Sequence, residues 1–169
     1  MENSNAERGL GKGMLVISWI IVLAGLTWVL GRWEGKQYNP NQSLSSSGNG
    51  EITLIRNRHN HYVASGFING TPVVFLLDTG ATDVAVPLEV ANKTKLKPGF
   101  TRQVVTANGI ADVRDTTIAT LELGSIKLHN VRAVISPGMH GSEILLGMSA
   151  LKDLDFSQKG SELTLKQIQ

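Results

Sequence analysis

No cysteine occurs in this chain, and its charges of opposite sign almost cancel. Without cysteine the protein can form neither a disulfide bond nor a thiolate metal site. The formal net charge of the 169 residues is only +2, and from residue 51 onward Lys and Arg nearly balance Asp and Glu. This balance argues against a nucleic-acid surface. The length allows a single domain of ordinary size.

Candidate metal ligands are also scarce. The sequence contains no His-x-x-x-His pair, and His59 and His61 lie two positions apart, a spacing that puts both on one exposed face of a strand. The short basic group Lys93, Lys95 and Lys97 is typical of a solvated patch. We therefore expect neither a metal nor another cofactor.

One long apolar run is present. Over residues 14–30 only Ser18 and Thr27 are polar. As an α-helix this run would be about 25 Å long, at the short end of what crosses a bilayer. Trp28 and Trp33 lie near its outer end, where indole rings favour the headgroup region. The run therefore predicts a membrane-spanning helix.

The predicted layout before the folded domain is a tail over residues 1–13, a transmembrane anchor over 14–31 and a flexible tether over 32–50. The tether contains an Asn-Pro-Asn segment and a run of Ser, Gly and Asn, a composition that favours disorder. A cleaved signal peptide is the alternative to the anchor, although its apolar part is usually shorter and no small-x-small site follows. Basic residues stand in equal number on both sides of the run, so charge gives no orientation.

Residues 51–169 read as short strands punctuated by glycine. Asn69-Gly70 separates strands predicted at 61–68 and 71–77, which is a strong hairpin signal. The other predicted elements are a strand at 51–55, a short helix at 87–95, a second hairpin around Ala107-Asn108-Gly109, strands within 112–123 and 125–136 with a bulge in the latter, helical turns within 148–154, and a strand at 163–168. Many short strands predict a compact, mainly β barrel with one or two short helices.

The most informative stretch is residues 73–80. Five apolar residues predict a strand buried on both faces, and the strand ends on Asp78, Thr79 and Gly80. A carboxylate at the end of a buried strand is costly unless it is hydrogen-bonded or shared with a partner. Glycine two positions later permits a tight turn and close approach of backbone. The stretch therefore predicts a chemically active loop.

Three features together resemble the retropepsin-like branch of the aspartic proteases. The first is Asp78-Thr79-Gly80 after a hydrophobic strand, followed by Ala81. The second is the apolar stretch 144–146 with Gly147 before a helical segment. The third is a glycine-containing hairpin at 105–111, similar to the flap that closes over substrate. The whole layout resembles bacterial membrane-anchored members, which implies a closed or partly open β-barrel preceded by an N-terminal transmembrane helix.

The resemblance assigns roles to residues of the loop and hairpin. It implies that Asp78 is catalytic, that the Thr79 hydroxyl fixes the loop, and that Gly80 offers backbone to the substrate. The residues that it implies for substrate binding are Ala81, Thr82, Asp83, Thr106, Ala107, Asn108 and Gly109.

The number of catalytic loops predicts the assembly. The mechanism of this class requires two aspartates that share a proton. The other aspartates, at positions 83, 112, 115, 153 and 155, lack a following Thr/Ser-Gly. A second copy must therefore supply the second aspartate, so we expect a homodimer with the terminal strands near Ile52 and Leu165 as candidate interface.

Two positions depart from the family pattern. Retropepsins often carry Asp two residues after the signature glycine and Arg directly after the second apolar-glycine segment. This chain has Thr82 and Met148 there, with Asp83 following Thr82. In the family these two residues can pair and brace the dimer, so the resemblance implies that this protein braces its site differently.

The leading hypothesis is a membrane-tethered aspartic endopeptidase that cleaves extended peptides. The resemblance implies a single-pass protein of the bacterial inner membrane with its catalytic domain on the periplasmic side. The alternative is a non-catalytic module of the same fold that binds peptides or dimerises at the membrane. A phosphate-binding loop of a kinase-like ATPase is a third reading, but the companion phosphate loops are missing from the sequence.

Overall fold

The computed structural model describes residues 3–44, 50–106 and 109–168. The chain forms two compact units, Met1–Gln37 and Tyr38–Gln169. Helix α1 (Asn3–Tyr38) makes up the described part of the first unit. Over Gly13–Tyr38 it is long and apolar enough to cross a membrane, a property that signal sequences share.

The second unit is built almost entirely from strands. Its described strands are β1 (Glu51–Ile55), β2 (Val63–Ile68), β3 (Thr71–Leu77), β4 (Val84–Pro87), β5 (Thr101–Thr106), β6 (Gly109–Leu123), β7 (Ile126–Ser136), β8 (Glu143–Leu146), β9 (Leu154–Lys159) and β10 (Glu162–Gln167). Two short helices, α2 (Leu88–Lys93) and α3 (Met148–Leu151), follow β4 and β8. The predicted mainly β architecture with short helices is confirmed.

Six strands close into a barrel in the order β2-β3-β8-β4-β7-β6, because β6 also pairs with β2. Strand β5 continues the sheet beyond β6 as an antiparallel hairpin. Two pairings inside the barrel are parallel, β3 with β8 and β4 with β7. The interior is filled by buried apolar side chains, among them Phe75, Ile118, Ile135 and Ile144. Parallel pairing brings the ends of β3 and β8 to the same edge of the sheet.

A separate three-stranded sheet has the order β1-β10-β9. Ile52 lies opposite Leu165 and Leu54 opposite Leu163, and all four side chains are buried in the same core as the barrel. Ile52 and Leu165, which mark the terminal strands expected at the interface, therefore pack against core within one chain. Their side chains are not open to a second copy.

Local turn chemistry follows the sequence closely. Asn69 and Gly70 have φ angles of 49° and 76°, the left-handed pair that a two-residue hairpin requires. The bulge predicted in β7 is not present: Asn130 has a φ of 53°, but Val131 lies opposite Ile118 and His129 opposite Thr120, so one residue separates the two pairs on each strand and the register does not shift. The hairpin is confirmed, and the prediction of a bulge is wrong.

Three further expectations about strands and helices differ from the structure. Strand β3 is not buried on both faces, because only Phe75 is fully buried along it. Strand β4 was not anticipated between the loop and helix α2. The helical turns expected within 148–154 end at Leu151, and the chain then enters β9, a strand that the sequence did not predict. Residues 154–159 contain no β-branched side chain, so propensity gave no strand signal there.

The expected tether over residues 32–50 overlaps ordered structure. Helix α1 continues through residues 32–38, where no proline or glycine pair interrupts it. Asn39 and Asn41 are buried in the second unit. The Asn41 side chain accepts from the Ile55 N–H (2.7 Å) and donates to the Val63 carbonyl (2.7 Å). Residues 39–41 are therefore part of the folded unit, while residues 45–49 lie outside the described chain.

Candidate active site

The candidate catalytic loop lies where β3 ends beside β8. Leu76 and Leu77 are in parallel register with Leu145 and Leu146. The Asp78 N–H donates to the Leu146 carbonyl at 3.2 Å, which continues the ladder one step beyond the strand. The position of Asp78 is therefore fixed by two adjacent strands of the barrel.

The Asp78 carboxylate is held by its own loop. Its Oδ1 accepts a hydrogen bond from the Gly80 N–H at 2.9 Å, and the Ala81 N–H donates to the Asp78 carbonyl at 3.2 Å. Asp78 is partly buried, whereas Thr79 and Gly80 are exposed. The burial that the sequence predicted for this carboxylate is not complete in a single chain.

The contacts of Gly147 explain why a glycine follows the apolar stretch 144–146. A Cβ at this position would lie 2.3 Å from the Asp83 carbonyl oxygen and 2.7 Å from that of Ala81, distances that no real Cβ tolerates. Directly after it, the N–H groups of Met148 and Ser149 donate to the carbonyls of Ala81 (2.8 Å) and Thr82 (2.9 Å). The start of α3 therefore packs backbone to backbone on the loop, and only glycine permits this contact.

Ser149 connects the loop to the far side of the barrel, a role that sequence reasoning missed. Its hydroxyl is buried, accepts from the Val84 N–H at 2.9 Å and donates to the Arg132 carbonyl at 2.7 Å. One side chain thus joins the end of the loop, the start of α3 and strand β7. A lone serine after an apolar-glycine segment carries no sequence signal for this function.

Asp83 is held by two arginines. Its side chain is only 8% exposed and accepts from the Arg132 Nε at 2.8 Å and from the Arg102 guanidinium. The Arg102 Nε also donates to Asp115 at 2.6 Å. Hydrogen bonds to Asp115 and Asp83 raise the pKa of the Arg102 guanidinium, so it remains charged. The Asp83 carboxylate, expected to bind substrate, is already engaged within the chain.

A cavity of about 850 Å³ borders this network. Thr82 and Asp83 line it from the loop, and Arg102 lines it from β5. The remaining lining residues are Asn69, Lys95, Leu96, Lys97, Pro98, Gly99, Phe100, Asp115, Thr116, Thr117, Ala119 and Arg132. The exposed Phe100 ring, 88% accessible, stands on its rim.

The β5–β6 hairpin carries the other predicted site residues. The Thr106 hydroxyl donates to the Gly109 carbonyl at 2.8 Å, and Gly109 has a φ of 109°. Ala107 and Asn108 lie outside the described residues. Val105 and Ile110 flank the turn and are 89% and 72% exposed. The hairpin thus presents apolar side chains to its surroundings.

Comparison with known proteins identifies relatives of this chain. A retropepsin-like aspartic protease from Rickettsia conorii, known from its crystal structure, is 34% identical and superposes with a TM-score of 0.59, covering 70% of this chain and 91% of that one. A protein of Sinorhizobium sp, described as an uncharacterized protein in the cobV 5′ region, is 31% identical over 125 residues. That match covers 72% of this chain and 54% of the relative.

An uncharacterized protein of Rickettsia prowazekii (strain Madrid E) is 32% identical over 109 residues, which is 61% of this chain and 45% of that protein. The chain therefore spans about half the length of these two relatives. Residues 64–153 match the family described as gag-polyprotein putative aspartyl protease, a range that includes the Asp78 loop and the Gly147 contact. The chain belongs to this aspartyl protease family, and its barrel has the retropepsin-like fold.

Proposed function

We propose that the protein is a membrane-tethered aspartic endopeptidase whose active site forms when two copies bring their Asp78 loops together. The observation that carries the proposal is how the Asp78 loop is held by its neighbours. Asp78 is anchored between β3 and β8, and α3 packs on the following residues through bonds to Ala81 and Thr82. Such a rigid support suits a group that must be held in productive geometry.

The chemistry requires two carboxyl groups with one proton between them. The ionised Asp78 takes a proton from a water molecule, whose oxygen then attacks the carbonyl carbon of the peptide. The protonated Asp78 of the other copy donates its proton to the carbonyl oxygen, which gives a neutral tetrahedral diol. The carboxyl that took its proton from water then gives it to the nitrogen as the C–N bond breaks, and a hydroxyl of the diol returns a proton to the other carboxylate, so an acid and an amine leave and the pair again holds one proton.

The exposure of the loop supports the need for a second copy. Among the described residues Asp78 is the only aspartate followed by Thr-Gly, and Thr79 and Gly80 are open to solvent in one chain. Two like charges cannot both be ionised at close range, so a shared site would hold one proton over the mid-acid range. A homodimer would thus supply the second carboxyl group and would also shield the Asp78 loop from solvent.

An extended peptide is the substrate that this arrangement suits. The β5–β6 hairpin ends in exposed Val105 and Ile110, so apolar side chains would meet the peptide from that side. Gly80 and Gly109 are both exposed, and an extended chain can bind along such a surface as an added strand does. The substrate would lie between loop and hairpin.

Helix α1 supports the membrane tether. Its side chains from Met14 to Leu30 are exposed and almost all apolar, an arrangement that water does not favour but a bilayer core does. The family resemblance to bacterial anchored members favours the periplasmic side of the inner membrane for the second unit. Protease accessibility of the second unit in intact spheroplasts would test this orientation.

The activity is tested with the full chain in detergent micelles, as wild type and as Asp78→Asn. Cleavage of a mixed peptide pool is recorded from about pH 3 to about pH 8, at two protein concentrations. Asp153→Asn serves as a matched control for loss of one carboxylate. We expect acid-favoured cleavage that Asp78→Asn abolishes and Asp153→Asn retains. Folded, dimeric wild type without Asp78-dependent cleavage would instead identify a non-catalytic peptide-binding module.

A further inference from the structure

The loop between β1 and β2, residues 56–61, carries positive charge that the proposed active site does not use. It contains two arginines and two histidines, and no Asp or Glu occurs between residues 52 and 77. The two histidines and Arg58 are exposed, and Arg56 is half-buried. In the part of the chain that the structure describes, neither arginine forms an ion pair with a carboxylate. We call residues 56–61 the basic loop.

Asn57 fixes the shape of the basic loop. It is only 6% exposed, and its Oδ1 accepts from the N–H of His59 at 2.9 Å and from the N–H of His61 at 3.0 Å. Its own N–H donates to the His61 carbonyl at 2.8 Å. Because the backbone turns around one buried amide, the charged residues of the loop are held on a defined surface.

The same amide joins the basic loop to the end of helix α1. The Asn57 Nδ2 donates to the Tyr38 carbonyl at 2.9 Å. Tyr38 is the last residue of α1 and the first residue of the second unit, so this bond lies within one compact unit. The next residue, Asn39, is buried, and its Nδ2 donates to the Ser65 hydroxyl at 3.0 Å. Ordered contacts therefore begin at the last residue of the helix, and the basic loop stays beside Tyr38.

The end of α1 has the composition of a membrane interface. Trp28 and Trp33 are exposed, and the Arg32 Cζ lies 4.6 Å from the centre of the Trp28 ring. Indole rings favour the headgroup region. Tyr38 lies about 7.5 Å beyond Trp33 along a helix, and one headgroup layer is about 5–8 Å thick. Where α1 crosses a bilayer, Tyr38 and the loop bonded to it would therefore lie at the level of the headgroups.

From this placement we infer that the basic loop binds the headgroups of anionic lipids, with phosphatidylglycerol as the model ligand. The inference rests on the membrane tether of the proposed function. Lipid phosphates are the anions present at this level, and a guanidinium group can bind a phosphate through two parallel hydrogen bonds. Basic residues next to a membrane helix are attracted to a surface that contains anionic lipid.

Headgroup binding would also set the position of the Asp78 loop. Tyr62 directly follows the basic loop, and its carbonyl accepts from the Leu77 N–H at 3.0 Å. Leu77 is the last residue of β3 and directly precedes Asp78. The loop that meets the lipid is therefore bonded to the strand that carries the proposed catalytic carboxylate. The proposed active site would then work on peptide segments close to the membrane surface.

The absence of native cysteine permits a single fluorophore to be placed beside the basic loop. Ser161 is exposed, and its carbonyl accepts from the Arg56 N–H at 2.8 Å. Ser161→Cys is made in the full chain, labelled, and reconstituted into phosphatidylcholine vesicles with about 30% phosphatidylglycerol. Quenching of the fluorophore is then compared between trace spin-labelled phosphatidylglycerol and trace spin-labelled phosphatidylcholine, each with its spin label at the top of an acyl chain.

We expect both lipids to quench the fluorophore, and phosphatidylglycerol to quench it at least about twofold more strongly, because cations concentrate anionic lipid around them. Equal quenching would show that the loop lies at the membrane without recognising anionic headgroups, and would overturn the inference. Quenching by neither lipid would place the loop away from the headgroups, and would also overturn it.

Charge variants of the labelled protein test whether the basic loop causes the preference. Arg58→Gln should bring the quenching ratio of the two lipids close to one, whereas Arg58→Lys keeps the charge and should retain most of the preference. Arg114→Gln, at an exposed arginine of β6, is the matched control and should leave the ratio unchanged. An equal fall for Arg58→Gln and Arg114→Gln would assign the preference to net charge and contradict the inference.

Two further measurements separate this inference from the proposed function. Release of the protein from vesicles by alkaline carbonate would show that α1 does not span the bilayer, and would overturn the tether and the inference together. Protein that resists release and shows Asp78-dependent cleavage, but is quenched equally by both lipids, would overturn the inference alone. A preference for phosphatidylglycerol without Asp78-dependent cleavage would contradict the proposed activity and support the lipid-binding loop.

Discussion

At the scale of single residues, the loop depends most on Gly147. Its φ is −89°, so alanine meets no conformational barrier, and the difficulty is purely one of space. The backbone oxygens of Ala81 and Asp83 occupy the place where a Cβ would stand. Backbone cannot move aside as a flexible side chain can.

Gly147→Ala should therefore lower the free energy of unfolding by about 3 kcal/mol or more and displace the loop. The measurement is urea unfolding together with peptide cleavage. Gly138→Ala is the control, because a Cβ at Gly138 meets nothing within 4 Å and should leave both quantities unchanged. A stable Gly147→Ala protein with full cleavage would show that the contact does not constrain the loop.

Asp83 is the residue whose charge stabilises the barrel next to the loop. Asp83→Asn keeps the shape but removes the negative charge that Arg102 and Arg132 share. Because both arginines are partly exposed, we expect a loss of only about 1–2 kcal/mol in the free energy of unfolding.

Urea unfolding at low and high salt measures this effect. The difference between wild type and Asp83→Asn should shrink at high salt as the charges are screened. Asp112→Asn, on an exposed position of β6, is the control and should change stability little. A salt-independent difference would point to packing or hydrogen-bond geometry as the cause.

At the scale of elements, Asn41 joins three segments that are distant in sequence. Its buried side chain bonds to β1 at Ile55 and to the start of β2 at Val63, and its N–H donates to the Asn39 side chain at 3.0 Å. Asn41→Ala leaves the Ile55 N–H without this partner. We expect Asn41→Ala to lower the free energy of unfolding, measured by thermal denaturation, by about 2–3 kcal/mol, because a buried donor without an acceptor is costly.

Ser43→Ala provides the comparison for Asn41→Ala, because Ser43 is exposed on the same segment. It should unfold at the wild-type temperature. If Asn41→Ala also unfolds at that temperature, residues 39–41 do not contribute to the folded unit, and the boundary of the tether moves toward residue 50.

Sequence could predict the elements whose signals are local. Asn69-Gly70 specified its hairpin, and the Asp78 and Gly147 segments specified where the barrel closes on its loop. The network of Asp83, Arg102 and Arg132 could not be read in advance, because its members are 19 and 49 residues from Asp83. Strand β9 was missed because tertiary pairing with β10, not propensity, makes it a strand.

At the scale of the whole molecule, the proposed active site needs two copies, so its activity should depend on protein concentration. Below the dissociation constant the cleavage rate should approach the square of the protein concentration. A chain of residues 38–169 alone should need a higher concentration for half-maximal activity than the full chain in vesicles, because a membrane confines the copies to a surface. Cleavage linear in concentration over the whole range would contradict an obligate dimer.

The parallel pairing of β3 with β8 has a consequence for synthesis of the chain. Asp78 leaves the ribosome well before Leu146, Met148 and Ser149, whose backbone bonds hold the loop in place. Domains generally fold as units during synthesis, and contacts between segments distant in sequence are slow to form. The nascent protein therefore cannot complete the Asp78 loop until the segment around Gly147 has been translated. The order of the strands along the chain therefore delays assembly of the proposed active site until the barrel can close.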